Sequence, residues 1–413
     1  MSDAADARTG PPALDVDDWD AALLDRLAAE YGTPLYVTDL DRVRENVRRL
    51  ERAFPDARRM YAAKANTGQA VMATVLDEGM RIECAAADEV TRAVEAGADP
   101  DRLQYTAVNP PDRDLDEMVA LWEDHPGLRI TAGAEDTLDR LADRGFAGDL
   151  FLRVNPGEVG GPHEPFAVGK DAKFGIPYER AVETARAVRE DYPFDLVGLH
   201  AHGASGMSGE LTHPQAAERL AAVAREVGGV EQIDVGGGFA VPYRPEEEPI
   251  DLDALAAETR AALDGLDARL AIEPGRYVVA DASVLLTRVN TVKETPGPTV
   301  VGVDASFTTL MRPALLGSYH PIRNVTGPDR ETAAITLGGP VCTSTDTFCR
   351  DRPVPRPERE DLLAFGVAGA YGVDLTSEFH SQPFVAEVAL ADGDERVVRE
   401  RRDVDDVLAR EHR

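Results

Sequence analysis

The stretch Met60-Tyr61-Ala62-Ala63-Lys64-Ala65-Asn66 decides how the chain is read. Its apolar start reads as a short buried strand. Its end carries one of only four lysines (Lys64, Lys170, Lys173, Lys293) in 413 residues. Arginine is otherwise the cation of this chain, so solubility does not explain a lysine at a strand end. A deprotonated amine can attack a carbonyl carbon and a guanidinium cannot. The plainer alternative is a buried lysine paired with a carboxylate, and position alone does not choose between the two.

Outward from this strand the same rhythm repeats. Ile82–Ala86, Leu103–Val108, Leu128–Ala132, Leu150–Val154, Leu196–His202, Gln232–Gly236 and Leu270–Glu273 read as further strands. Helical patterns separate them, as at Val90-Ala93-Val94 and Ala216-Leu220-Val223. An earlier helix sets Val43, Val47, Leu50 and Phe54 on one face of a 3.6-residue period. Eight strands with helical crossovers predict an α/β fold, a (β/α)8 barrel. After Arg276 the rhythm changes. Val284–Val292, Thr299–Val303, Ala333–Leu337 and Phe384–Leu390 read as strands without regular crossovers. They predict a C-terminal, mostly antiparallel β domain, to which Pro34–Val37 adds a strand. The expected division is a barrel over residues 36–280 and a β domain from 1–35 and 281–413.

Composition narrows the partners. At 43% hydrophobic residues the chain can bury a full core, while its net charge is −31. Long-range repulsion argues against nucleic acid and anionic membrane. The acids are spread along the chain rather than blocked, and with scarce lysine this composition resembles that of proteins from salt-loving archaea. Molar salt shortens the Debye length to a few Å and makes such self-repulsion tolerable. Cys84, Cys342 and Cys349 are too few and too scattered for a disulfide framework or a zinc site, and no metal is expected. No basic-apolar leader and no bilayer-length apolar run is present, so a cytoplasmic protein is expected.

In such barrels chemistry sits at the C-terminal ends of the strands. Lys64, Glu83, His200, His202, Gly236-Gly237-Gly238 and Glu273-Pro274-Gly275-Arg276 all fall at those ends. Consecutive glycines leave backbone N–H groups open to a phosphate. Arg276 offers a second anion clamp. An acid such as Glu273 can keep a pyridine nitrogen protonated, which makes the ring an electron sink. An imidazole such as His202 can stack on a flat ring. Together these describe a pyridoxal phosphate (PLP) site.

Seven ordered motifs then carry a family resemblance over roughly residues 20–390: Tyr61–Asn66, Gly198–His202, Ile233–Gly238, Glu273–Arg276, Arg312–Leu315, Gly339–Cys342 and Gly369–Gly372. They resemble the alanine-racemase-fold, PLP-dependent decarboxylases of the diaminopimelate decarboxylase type. The resemblance implies that Lys64 forms the Schiff base with PLP, that Glu273 pairs with the pyridine nitrogen and that His202 stacks on the ring. It places Ser205, Gly236, Gly237, Gly238, Gly275, Arg276 and Tyr371 around the phosphate, and Glu83 near the lysine. Arg276 and Arg312 would grip the substrate's far carboxylate. Cys342 would reach across a homodimer interface and protonate the carbon from which carbon dioxide leaves. A thiol suits proton transfer near neutral pH.

Departures from the family fall on the substrate side. Leu316 stands where the family has tyrosine, and Thr343 where it has the glutamate that binds a distal amine. Phe379-His380-Ser381-Gln382 replaces Tyr-Asn-Ser-Arg, and His202-Gly203-Ala204-Ser205 varies the His-x-Gly-Ser motif. The expected reaction is conversion of meso-diaminopimelate to L-lysine and carbon dioxide. The alternatives are a related decarboxylase acting on another amino acid with a distal acidic group, a racemase of the same fold, and a non-catalytic PLP-binding regulator. His163, His213 and His412 read as surface residues, Cys84 and Cys349 as small buried hydrophobes. Lys173-Phe174-Gly175 reads as structural or interfacial.

Overall fold

The computed structural model describes residues 11–157, 173–202 and 212–412. The chain divides into two units. One comprises Asn46–Ala240 and Ile250–Val278, the other Met1–Glu45, Val241–Pro249 and Val279–Arg413.

The first unit is a closed barrel. Its strands are Arg58–Ala62, Arg81–Cys84, Leu103–Tyr105, Arg129–Ala132, Asp149–Asn155, Asp195–His200, Gln232–Asp234 and Arg269–Ile272. All run parallel, with Tyr61 beside Ile82 and Ile130 beside Leu150. The ring closes where Ile272 of the last strand meets Arg59 of the first. Each expected strand is present, and the helices Gln69–Asp77, Ala87–Glu95 and Thr212–Val227 are among those that connect them. Ala216, Leu220 and Val223 are buried as their spacing predicted, whereas Val94 is exposed because Val90 and Ala93 already fill the inward face of its helix.

Several strands end earlier than the sequence suggests. Lys64 lies in the 3-10 turn Ala63–Ala65, just past the first strand, and Glu273 lies just past the last. The chain leaves the ladder there, while Ala62 N–H still donates to Pro274 O and Glu273 N–H to Gly236 O. The polar tails of the strands therefore become the rim of the barrel mouth. The interior also carries polar groups bonded to one another: the Gln104 amide donates to Thr131 Oγ1 and to Asp234 Oδ2, each at 3.3 Å.

The second unit is built on a nine-stranded sheet that is mostly antiparallel. Leu35–Asp39 lies between Ser283–Lys293, antiparallel with Leu35 opposite Leu286, and Ala386–Ala391, parallel with Leu35 opposite Ala386. Period-two alternation sorts the side chains onto two faces. Tyr36, Leu285, Val301, Leu337 and Phe365 share one core; Leu35, Val37, Val284, Leu286 and Val388 share the other. With both faces covered, these strands read as nearly unbroken apolar runs.

Four strands of this sheet were not foreseen: Ile322–Asn324, Thr347–Pro355, Leu362–Phe365 and Asp394–Arg399. Thr347–Pro355 is an edge strand, where Pro353 and Pro355 cost no ladder bond. Asp394–Arg399 forms the opposite edge and is too polar to show alternation. Among the described residues no helix is long and apolar enough to cross a membrane.

Candidate active site

At the barrel mouth, Lys64 Nζ stands 3.4 Å from Glu83 Oε2. The two side chains differ sharply in environment, Lys64 being 39% exposed and Glu83 1%. Burial pushes the Glu83 carboxyl up, with help from Glu273 and against the charge of Lys64. Glu83 Oε1 has no hydrogen-bond partner among the described residues. The lysine is thus paired with a carboxylate, but one whose charge burial disfavours.

Glu273 sits deeper, 2% exposed. Burial would raise its carboxyl, but His200, Lys64 and His202 outweigh that and hold it below the usual carboxylate range. His200 is itself kept neutral by desolvation. In the tautomer with its proton on Nε2 it donates to Glu273 Oε2 at 3.3 Å. The other carboxylate oxygen, Oε1, is buried and without a partner among the described residues. An ionised acid with one oxygen unused is what a protonated ring nitrogen requires.

His202 is driven well below its ordinary titration range by desolvation, reinforced by Lys64 and Arg153. Its Nδ1 accepts the Gly237 N–H at 3.1 Å, which leaves the proton on Nε2 and a flat neutral ring. The glycine turn differs from the sequence expectation. Two of its three amides are not open to a phosphate: Gly236 N–H goes to Asp234 Oδ1 at 2.9 Å and Gly237 N–H to His202. The glycines serve a close approach instead. Gly236 and Gly238 have φ of 72° and 102°, and a Cβ on Gly237 would lie 2.7 Å from Glu273 O. The turn thus ties the His202 ring to the backbone of Glu273.

Two residues of this network escaped the sequence reading. Asp234 is fully buried beneath the turn, and burial together with Glu273 drives its carboxyl well up, towards the neutral form. His213, expected at the surface, is buried and its Nε2–H donates to Gly237 O at 2.7 Å. Phe174 lies under Arg153, the guanidinium carbon 5.1 Å from the ring centroid. Gly275 and Arg276 follow Glu273 at the same mouth. Ser205 lies outside the described residues.

The remaining sequence candidates belong to the β unit. Arg312 opens the short helix Arg312–Leu316 and is 5% exposed. Its Nη1–H donates to His320 Nε2 at 3.1 Å, and its guanidinium carbon lies 4.6 Å from the Tyr243 ring centroid. His320 can accept there because its Nδ1–H is spent on Gly366 O at 3.0 Å. That contact gives His320 a place in the fold. Leu316 is 38% exposed. Tyr371 is half-buried with φ 55°, and Thr343 Oγ1 is 3.0 Å from Thr345 Oγ1. Cys342 is exposed while Cys84 and Cys349 are buried. Burial drives the Cys84 thiol far up, which fits an inert packing role. His380 Nε2 lies 3.3 Å from Cys342 Sγ, a pairing nothing in the sequence announced.

The barrel-mouth residues fit PLP on their own geometry, through the unused Glu273 oxygen and the neutral face of His202. Fold and site therefore define a PLP-dependent enzyme of the alanine-racemase type. A family model described as the pyridoxal-binding domain of pyridoxal-dependent decarboxylases matches residues 40–280. The chain belongs to that family of decarboxylases. A diaminopimelate decarboxylase of Methanothermobacter thermautotrophicus is 42% identical over 401 residues, covering 92% of this chain and 92% of that protein. One from Actinosynnema pretiosum is 35% identical over 433 residues, covering 98% and 97%. The crystal structure of diaminopimelate decarboxylase from Helicobacter pylori complexed with L-lysine matches with a TM-score of 0.87 at 28% identity, over 93% of this chain and 98% of that one.

Proposed function

We propose that this chain decarboxylates meso-diaminopimelate to L-lysine. The carrying observation is the 42% identity to a diaminopimelate decarboxylase, sustained along 92% of both chains. PLP, when bound, supplies the electron sink for the pair released as carbon dioxide departs. The rest falls to the chain. Lys64 provides the amine that tethers the cofactor. Glu273 holds a proton on the ring nitrogen through its unused Oε1, and His200 keeps the other oxygen occupied. His202 presents its neutral face to the ring. Gly238, Gly275, Arg276, Ser205 and Tyr371 hold the phosphate end, while Gly236 and Gly237, whose amides are already bonded, shape the turn beside it.

Arg312 and Arg276 grip the carboxylate that is not lost, and Cys342 of one copy delivers a proton at the site of a second copy in a homodimer. The acidic, lysine-poor surface suits a cytoplasm rich in salt. Thr343 supports a second reading. Neutral and already 3.0 Å from Thr345 Oγ1, it offers no charge to a distal ammonium, which favours a substrate with the far carboxylate but no far amine.

The test is a carbon dioxide release assay with diaminopimelate and aminopimelate, coupled to borohydride reduction of the holoenzyme. Lysine formation and label on Lys64 are expected. Label on another lysine, or carbon dioxide from neither substrate, rejects the reading.

A further inference from the structure

We propose that His380 is the proton partner of Cys342, returning a proton to the thiol after each turnover. The inference rests on the reading of Cys342 as the proton donor and deepens it. Its basis is a direct contact, Nε2 to Sγ at 3.3 Å, on the one cysteine of three that is exposed.

The loop is built to hold that ring. His380 has φ 60° and ψ 25°, and Ser381 follows with φ 55°. Two successive left-handed residues, neither a glycine, are uncommon, and such outliers gather where surrounding structure enforces them. The enforcement is visible on both sides. The Phe379 ring packs on His380 at 4.7 Å and on Phe307 at 5.8 Å. Gln382 Oε1 accepts from Ser306 Oγ and Thr308 Oγ1, each at 2.8 Å. The resembling family carries an asparagine in place of His380. An amide can hydrogen-bond to a thiol but cannot ferry a proton, whereas an imidazole does both.

Decarboxylation consumes one proton for each carbon dioxide released, so the donor must be reloaded. Departure of carbon dioxide leaves an electron pair on carbon. The S–H bond of Cys342 breaks as the new C–H bond forms, leaving a thiolate. The Nε2–H bond of an imidazolium at His380 then breaks as the S–H bond re-forms. The neutral ring recovers its proton from hydronium or a buffer acid. One proton enters and one carbon dioxide leaves, with no redox change.

The experiment compares holoenzyme carrying His380→Gln, His380→Asn, His380→Ala or Cys342→Ala with wild type. Iodoacetamide labelling of Cys342 is followed by peptide mass, alongside kcat and KM, and cofactor absorbance reports the intact barrel site. The expected result is slower labelling in the Gln and Asn variants with little change in KM. Loss of kcat should be about 100-fold, the low end for a positioned acid or base. Added imidazole should restore part of the His380→Ala rate. Wild-type labelling and kcat in both the Gln and Asn variants overturn the proposal. A fall in kcat with unchanged labelling and no response to imidazole also overturns it, marking a loop-shaping role. Wild-type turnover by Cys342→Ala defeats the underlying reading of the cysteine, and is distinct from those results because it needs no His380 variant.

Discussion

Replacing Glu83 by glutamine should stabilise the cofactor-free protein, and by an amount that grows with pH. Glu83 is buried beside Lys64, and burial lifts its carboxyl from an ordinary 4.5 to about 8. The folded state therefore keeps a proton that the unfolded chain gives up. For a carboxyl raised in this way, stability falls as pH rises across the window between the two values. Each pH unit in that window costs about 1.4 kcal/mol, so the full span from 4.5 to about 8 amounts to on the order of 5 kcal/mol. Glutamine is neutral throughout and escapes the loss. The assay is urea unfolding of cofactor-free wild type and Glu83→Gln at pH 4, 6 and 8, in constant molar potassium chloride. The two should nearly coincide at pH 4 and diverge steadily above it. A difference that is flat with pH, or a mutant that becomes the less stable at pH 8, would refute the account and make Lys64–Glu83 an ordinary stabilising ion pair.

Other outcomes follow from the second unit and the surface. His320→Phe removes the acceptor of Arg312 Nη1–H and the donor to Gly366 O. Each lost hydrogen bond should cost about 0.5–1.5 kcal/mol of stability, read as a lowered Tm. If Arg312 grips a carboxylate, L-lysine binding by calorimetry should weaken more than that of cadaverine, which lacks the group; equal weakening separates His320 from that grip. Thr343→Glu should raise kcat/KM for diaminopimelate by roughly 10- to 150-fold, since a charge-assisted hydrogen bond is worth about 1.5–3 kcal/mol, and leave aminopimelate unimproved. A parallel gain on both substrates would contradict the assignment of that position. The unfolding midpoint should climb between dilute buffer and molar salt, because a net charge of −31 is unscreened in the former. An unchanged midpoint would dismiss the salt adaptation.

The barrel was legible because each strand is a buried apolar run bounded by a helical period. Its mouth was less so. Lys64 and Glu273 read as strand ends, yet both lie just past their strands, since polar rim residues continue the apolar run in sequence without continuing the ladder. The glycine turn was found, but its amides were misassigned: their partners, Asp234 and His202, depend on how two loops meet. His213 looked like a surface residue because its partners, the Gly237 carbonyl and the Phe239 ring, lie 24 and 26 positions away. The Cys342–His380 contact spans 38 positions and has no periodic signature. In the sheet, the Asp394–Arg399 strand did leave a signal. Asp392 and Gly393, with φ 54° and 86°, form the two-residue left-handed turn that an Asp-Gly pair favours between hairpin strands.

The strand Leu35–Asp39 pairs with Ser283–Lys293 and Ala386–Ala391, partners that lie about 250 and 350 residues further along the chain. On a ribosome adding about 5–20 residues per second, its first partner emerges roughly 10–50 s after it does. Throughout that interval Leu35, Tyr36 and Val37 are an unpaired apolar segment with two open hydrogen-bonding edges, the condition that invites aggregation. The barrel, whose residues are made in between, can condense first. A fragment ending near residue 280 would therefore keep a foldable barrel and a permanently orphaned strand, and expression of the full-length chain should depend on chaperones that shelter its first 45 residues.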